Sequence, residues 1–425
     1  MSKLSIRASV LALAALTGFY AGPVTAESQE ALEKRVRELE KTVEALTSDV
    51  EKTKLSDVIP EPGESVYGMG PSASKVYNKQ HGVSIGGYGE MLYQNFDDSS
   101  KRDEIDFLRW VLYAGYKYND KFVFNSEIEL EHAADDKEGE VAVEFAYIDY
   151  LHDPALNFRA GMVLLPMGLV NELHEPITYL SARRPDVENR IIPTTWRENG
   201  AGVFGDVGPF SYKAYIVNGL DAEGFTAAGV RGGRQKGSKA AAEDFSYVGR
   251  LDYTDVPGLI VGGSAYYGNS GSEVDLDVAT LIYEGHIDWK WKGLDVRALA
   301  AAAEVDDVAE LNTVLAEKGE VALTDFDSIG EDMVGWYLQV GYDILTVLRP
   351  GEASLTPYVR YEQYNTQDSV PEGFDESGKN DVDVITTGIN FKPIQELAIK
   401  AEYQFYDDEA DSASDQFNAS LGYVF

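Results

Sequence analysis

From Val83 to Phe425 the chain alternates apolar and polar residues with a period of two, and it does so in sixteen separate runs. That period belongs to β-strands, whose successive side chains point to opposite faces. The runs lie near 83–96, 105–118, 121–132, 140–152, 156–166, 199–208, 210–218, 245–254, 258–268, 276–290, 294–303, 334–348, 353–365, 381–392, 397–407 and 415–425. In one of them Leu108, Trp110, Leu112, Ala114 and Tyr116 share a face, opposite Arg109, Val111, Tyr113, Gly115 and Lys117. In the next, Phe122, Phe124, Ser126, Ile128 and Leu130 oppose Asn125, Glu127, Glu129 and Glu131. Val334, Trp336, Leu338, Val340 and Tyr342 likewise oppose Tyr337, Gln339 and Asp343. A soluble sandwich has no need of aromatics on the outer face of every strand. A cylinder in lipid has, provided its charged face looks into water, because a charge on the lipid face costs about 2–4 kcal/mol at mid-depth.

The connections between runs alternate in length. Asn119-Asp120, Asp153-Pro154-Ala155, Gly208-Pro209, Asp255-Val256-Pro257 and Lys392-Pro393-Ile394 read as tight turns. Segments 97–104, 133–139, 167–198, 219–244, 304–333 and 366–380 are mostly longer and polar. Short turns on one rim and long loops on the other fit a membrane barrel. The expected fold is therefore all-β, a sixteen-stranded antiparallel transmembrane barrel over 83–425, preceded by an N-terminal periplasmic coiled-coil helix. Beyond the first residues no apolar run reaches the roughly 18 residues that a spanning helix needs.

The N-terminus reads as a secretory signal over 1–26: Lys3 and Arg7, an apolar stretch from Ala8 to Tyr20, and a small-residue site at Val24-Thr25-Ala26. Over 27–57, Leu32, Val36, Leu39, Val43, Leu46 and Val50 recur at heptad spacing, which predicts a coiled-coil helix. Val at a and Leu at d favours two strands in parallel coils. Residues 58–82 read as a linker, since their Pro, Gly and Ser punctuation excludes a long element. The absence of cysteine removes disulfides and thiol chemistry. A formal charge of −36 argues against nucleic acid as a partner and against binding to anionic headgroups through the bulk surface.

The last run ends Leu421-Gly422-Tyr423-Val424-Phe425, with Phe425, Tyr423, Leu421, Ala419 and Phe417 on one face, and resembles the terminal signal of bacterial outer-membrane barrels. Asn157 to Leu169, with Gly161, Pro166 and Gly168, is similar to the corresponding stretch of the phosphate-selective O/P-type porins. Ser84 to Glu90 resembles the first strand of that superfamily and Tyr215 to Gly219 its seventh. The resemblance implies a homotrimeric outer-membrane porin with a loop folded into the lumen after the fifth strand. It thereby implies a pore constriction at 167–198 with Arg183, Arg184, Arg190, Glu172, Glu175 and Glu188 as its charges. Opposed charges across a narrow pore act as a filter. Face assignment makes Arg109, Arg159, Arg250, Arg297, Arg360, Glu127 and Glu129 pore-lining. Nine inward basic residues against eleven acidic ones make a mixed lumen, which together with the net charge predicts weak cation preference or neutrality.

Arg231, Arg234 and Lys236 form a basic cluster at the mouth, which could recruit anions, line the lumen, or stand exposed against lipopolysaccharide. The five histidines are scattered with no His-Glu-x-x-His, no Gly-x-Ser-x-Gly elbow is present, and no loop has EF-hand spacing. No catalytic residue, cofactor or metal is expected. The expected activity is passive diffusion of small hydrophilic solutes and ions across the outer membrane. Phosphate or anion selectivity is the alternative, and a barrel lipase or protease and an envelope tether are the readings from other classes. Expected partners are membrane lipid, lipopolysaccharide, further copies of the chain, and peptidoglycan through the N-terminal helix.

Overall fold

A computed structural model describes residues 34–37, 41, 65–98, 100–134, 139–319, 327–348 and 351–425. In the N-terminal unit, 1–57, residues 34–37 and 41 are helical. The signal segment, most of the heptad segment and residues 58–64 lie outside the described residues.

The second unit is one closed antiparallel barrel. Its strands are β1 (Gly82–Phe96), β2 (Glu104–Lys117), β3 (Phe122–Glu131), β4 (Val141–Asp153), β5 (Leu156–Leu164), β6 (Arg197–Val207), β7 (Phe210–Asn218) and β8 (Phe245–Tyr253). They continue as β9 (Leu259–Asn269), β10 (Ala279–Trp291), β11 (Leu294–Val305), β12 (Asp332–Tyr342), β13 (Ser354–Ser369), β14 (Asp381–Ile394), β15 (Leu397–Asp408) and β16 (Gln416–Val424). Each strand pairs with its neighbours in sequence, and β1 pairs with β16 from Tyr88↔Val424 to Phe96↔Gln416. Closure satisfies the backbone of every strand and leaves no edge, the condition for crossing lipid with strands. No helix among the described residues is long and apolar enough to cross a membrane.

The faces follow the pleat. Along β12 every even-numbered residue is exposed and every odd-numbered one buried, which puts Trp336, Leu338 and Val340 outside and Tyr337 and Gln339 inside. Leu338 sits near the middle of this strand, so Leu338→Arg is expected to cost about 2–4 kcal/mol, measured by denaturant refolding into lipid vesicles. The same substitution at Tyr342, near the rim, should cost about 1 kcal/mol or less.

Strand ends differ from the sequence reading by a few residues, and two departures are larger. The run 334–348 is a strand only to Tyr342; Leu345–Leu348 is one exposed helical turn. Asp343 Oδ1 accepts the Leu345 and Leu355 amides, which turns the chain. A short apolar run does not by its pattern distinguish strand from helix. On β4 a register shift opposite Glu127 and Ile128 places both Glu144 and Phe145 inside. A bulge of this kind inserts one residue and reverses the faces beyond it.

Candidate functional site in the barrel interior

The segment 165–196, between β5 and β6, folds inward. One side chain ties its two ends together: Asn171 Nδ2 donates to the carbonyls of Leu165 (2.7 Å) and Trp196 (2.9 Å), and its Oδ1 accepts the Trp196 amide (2.6 Å). Leu165, Met167, Ile191, Ile192 and Trp196 are fully buried, which supplies the apolar part of the anchorage.

The rest of the anchorage is polar and comes from strands all round the wall. Lys213 on β7 holds Glu172 at 2.5 Å, and Arg250 on β8 donates to the Gly168 carbonyl. Arg297 on β11 donates to Thr178 O (2.7 Å), Lys392 on β14 to Ile177 O (2.7 Å), and Lys400 on β15 to Ser181 O (2.8 Å). Arg360 on β13 donates to Ser181 Oγ (2.6 Å), while Glu402 on β15 accepts the Ala182 amide (2.6 Å). Apart from Lys213, each cation thus caps a backbone or hydroxyl oxygen that the irregular loop leaves without a ladder partner.

The acids of this loop also hold chain in place. Glu188 accepts the Leu169 and Val170 amides (2.8 and 2.7 Å) and the Tyr337 hydroxyl (2.7 Å). Burial pushes its pKa up despite those donors. Glu175 accepts the amides of Ser72 and Ala73, and burial raises its pKa to about 7. Arg184 lies near the His174 carbonyl at 3.4 Å. Arg183 and Arg190 face a cavity, described below. Burial works against the charge on Arg183, but Tyr406, Asp186 and Glu402 outweigh it and raise its pKa.

The residues expected to line a pore do point inward, but they meet protein. Arg109 lies between Glu90 and Glu129, each 3.4 Å away. Arg159 pairs with Asp149 at 2.8 Å, Arg250 with Asp252 at 2.7 Å, Arg297 with Asp288 at 3.1 Å and Arg360 with Glu362 at 2.6 Å. Glu127 faces His174 of the loop at 3.2 Å. The arginine pairs are cross-strand or same-face neighbours on strands of alternating charge, so the sequence itself brings them together.

The basic cluster is neither free nor exposed as a whole. Arg231 and Arg234 donate to the carbonyls of Thr194 and Thr195 at the loop's exit, and burial lowers the pKa of both. Lys236 lies 3.4 Å from Glu140.

Within the segment read as a linker, the chain from residue 66 on packs into the barrel. Met69, Ser72, Ala73, Lys75 and Val76 are buried inside the barrel, with a short helical turn at Ala73–Val76. Pro and Gly punctuation reports the lack of a long element, and it carries no information on exposure. Inward contacts that the face assignment missed are Glu144, which pairs with Arg197 at 2.7 Å, and Tyr77, whose hydroxyl donates to Asp149 at 2.6 Å.

Two cavities flank the loop. One, of about 340 Å³, opens toward the long-loop rim and is lined by Lys101, Arg183, Arg190 and Lys379 with Asp186 and Asp408. The other, of about 350 Å³, lies toward the short-turn rim and holds Lys290, Arg297 and Lys392 with Asp295 and Glu396. Ser181 and Ala182, clamped by Arg360, Lys400 and Glu402, lie on the loop between them.

No family model matches the chain. Among solved structures it resembles OmpF of Salmonella typhi in complex with daunomycin (TM-score 0.54, 12% identity, 82% of this chain and 99% of that one). It also resembles a loop-deletion mutant of OmpT, an outer membrane protein of Vibrio cholerae (TM-score 0.53, 14% identity, 82% and 100%). A third is the anion-selective porin from Comamonas acidovorans (TM-score 0.51, 12% identity, 81% and 100%). These likenesses concern the fold. In sequence the chain is 40% identical over 381 residues to an uncharacterized protein of Aquifex aeolicus (strain VF5), covering 88% of this chain and 87% of that one. The chain belongs to the same family as this Aquifex aeolicus protein, and its fold is the sixteen-stranded barrel of bacterial outer-membrane porins.

Proposed function

We propose that the chain is an outer-membrane channel through which small hydrophilic solutes and ions diffuse, with the segment 165–196 as its constriction. The observation that carries this reading is a loop pinned across the interior of a closed barrel, with a polar cavity on either side of it. The route runs between the long-loop rim, taken as the cell exterior, and the short-turn rim, taken as the periplasm, as in outer-membrane barrels generally. Purified protein in a planar lipid bilayer should give discrete current steps. Hydrolysis of lipid or peptide without current would favour a barrel enzyme, and neither would favour a tether.

A second reading, an anion-preferring pore of the phosphate-selective type, draws on the local charge. A permeating ion feels the nearest groups most, because exposed charges beyond about 10 Å are screened. Four cations against two acids in one cavity, and three against two in the other, favour anions although the chain as a whole is acidic. The reversal potential in a salt gradient decides between this and the weak cation preference read from net charge.

The chain would act as a homotrimer in lipid and lipopolysaccharide, with residues 27–57 in the periplasm, joining subunits or reaching peptidoglycan. That role rests on the heptad spacing alone. Deleting 27–57 should lower the temperature at which the trimer dissociates and release the cell envelope's hold on the barrel. Unchanged values for both would remove the role.

A further inference from the structure

We propose that residues 65–77 are a displaceable plug, seated in the barrel on the constriction loop, and that undocking it opens the channel. This rests on the channel reading above. The seat is built around one carboxylate. Glu175 of the loop takes the Ser72 amide on both oxygens (2.9 and 3.1 Å) and the Ala73 amide at 2.9 Å. It grips main chain, as an anion grips the first amides of a turn.

The other hydrogen bonds come from polar groups of the wall. Asn125 on β3 donates to Ala73 O (3.0 Å), and Lys117 on β2 to Tyr77 O (3.0 Å). Tyr77 reaches Asp149 and Arg159, and Ser72 Oγ donates to Phe425 O (2.9 Å). Water can replace such partners one by one, while undocking also exposes Met69, Ala73 and the apolar cluster that Val66, Tyr67, Val76 and Tyr77 form with Val123 and Leu151.

Two features make the segment separable from the wall. The barrel ladder closes from β1 to β16 without it, so its departure breaks no strand pairing. Gly68 (φ +81°), near the start of the segment, and Gly82 (φ +92°), where β1 begins, occupy a backbone region that only glycine enters at little cost, and such positions absorb hinge rotation. Its contacts run from β1 to β6, to Phe425 and to the loop, and its Ser65 and Pro71 line the short-turn cavity together with residues of β10, β11 and β14. The plug therefore forms one wall of that cavity, and its departure would widen it. The chain entering it also leads back to residues 27–57, which gives anything that binds there a covalent handle on residue 65.

The absence of cysteine allows a reversible test in the full-length protein. A Cβ placed on Gly86 lies 2.6 Å from Ser72 Oγ, so Ser72→Cys with Gly86→Cys should form a disulfide after a small shift. In a planar bilayer the oxidised pair should conduct no more than wild type, and dithiothreitol should restore the wild-type level in the same membrane. Glu175→Ala should raise mean conductance threefold or more, with Glu175→Gln between. Heat-modifiable mobility on a gel confirms that each variant is folded. Equal conductance for wild type, oxidised, reduced and both Glu175 variants would make the segment a fixed part of the wall, with the channel reading intact. No current from any of them, in folded protein, would sink both.

Discussion

Replacing Asp149 by alanine is expected to destabilise the barrel by about 3–5 kcal/mol, the loss typical when one member of a buried ion pair is removed. Asp149 is fully buried on β4 and accepts from Arg159 Nε (2.8 Å), Arg159 Nη2 (2.9 Å) and the Tyr77 hydroxyl (2.6 Å). The guanidinium of Arg159 also lies 3.9 Å from the ring centroid of Tyr147 and 4.9 Å from that of Phe204. Without Asp149 a charge that cannot neutralise stays behind between aromatic rings. Denaturant unfolding in detergent micelles measures the loss. The double variant Asp149→Asn with Arg159→Met removes both charges and should recover most of it, because replacing a whole buried pair by neutral groups is often close to neutral. If the single and double variants lose equal stability, the shape of the site matters and the charge does not.

Asp149 and Arg159 also show how far the sequence could be read. Arg159 is assigned inward from the alternation of β5, and its partner follows from the register Asp149↔Arg159. Period two is legible because lipid and water impose it on each strand separately, whatever the tertiary context. The sixteen runs accordingly match the sixteen strands, with discrepancies at ends and at bulges. Glu144 was lost because a bulge has no compositional mark, and one extra residue reverses a face. The interior was harder to read for a different reason. Which of the inward Lys and Arg caps the Thr178, Ile177 or Ser181 carbonyl depends on the path of an irregular loop, and no periodicity encodes that path. Ser72 and Tyr77 were invisible as interior groups because a stretch broken by Gly and Pro looks alike in solvent and in a lumen.

Reversing Arg183 and Arg190 together to glutamate is expected to invert the ion preference of the channel. Both line the cavity on the long-loop side, where four cations stand against two acids; the double variant leaves two against four. At an effective dielectric constant of about 20, a unit charge about 8 Å from a permeating ion changes its energy by about 2 kcal/mol before salt screening. Two reversals shift the cavity by four units, enough to outweigh the second cavity, which the substitutions leave untouched. Asp186 and Glu402 favour the Arg183 charge, so local order near Asp186 will loosen. The fold will not, since the loop ends are tied by Asn171 and its middle by Arg360 and Lys400. Reversal potential in a tenfold potassium chloride gradient reads the outcome: wild type on the anion side of zero, the double variant on the cation side. Lys236→Glu, whose side chain faces Glu140 and lies off this cavity, should move the potential far less. Equal shifts from the two variants would mean that charge anywhere on the long-loop rim sets selectivity and that the cavity beside the loop does not lie on the conducting path.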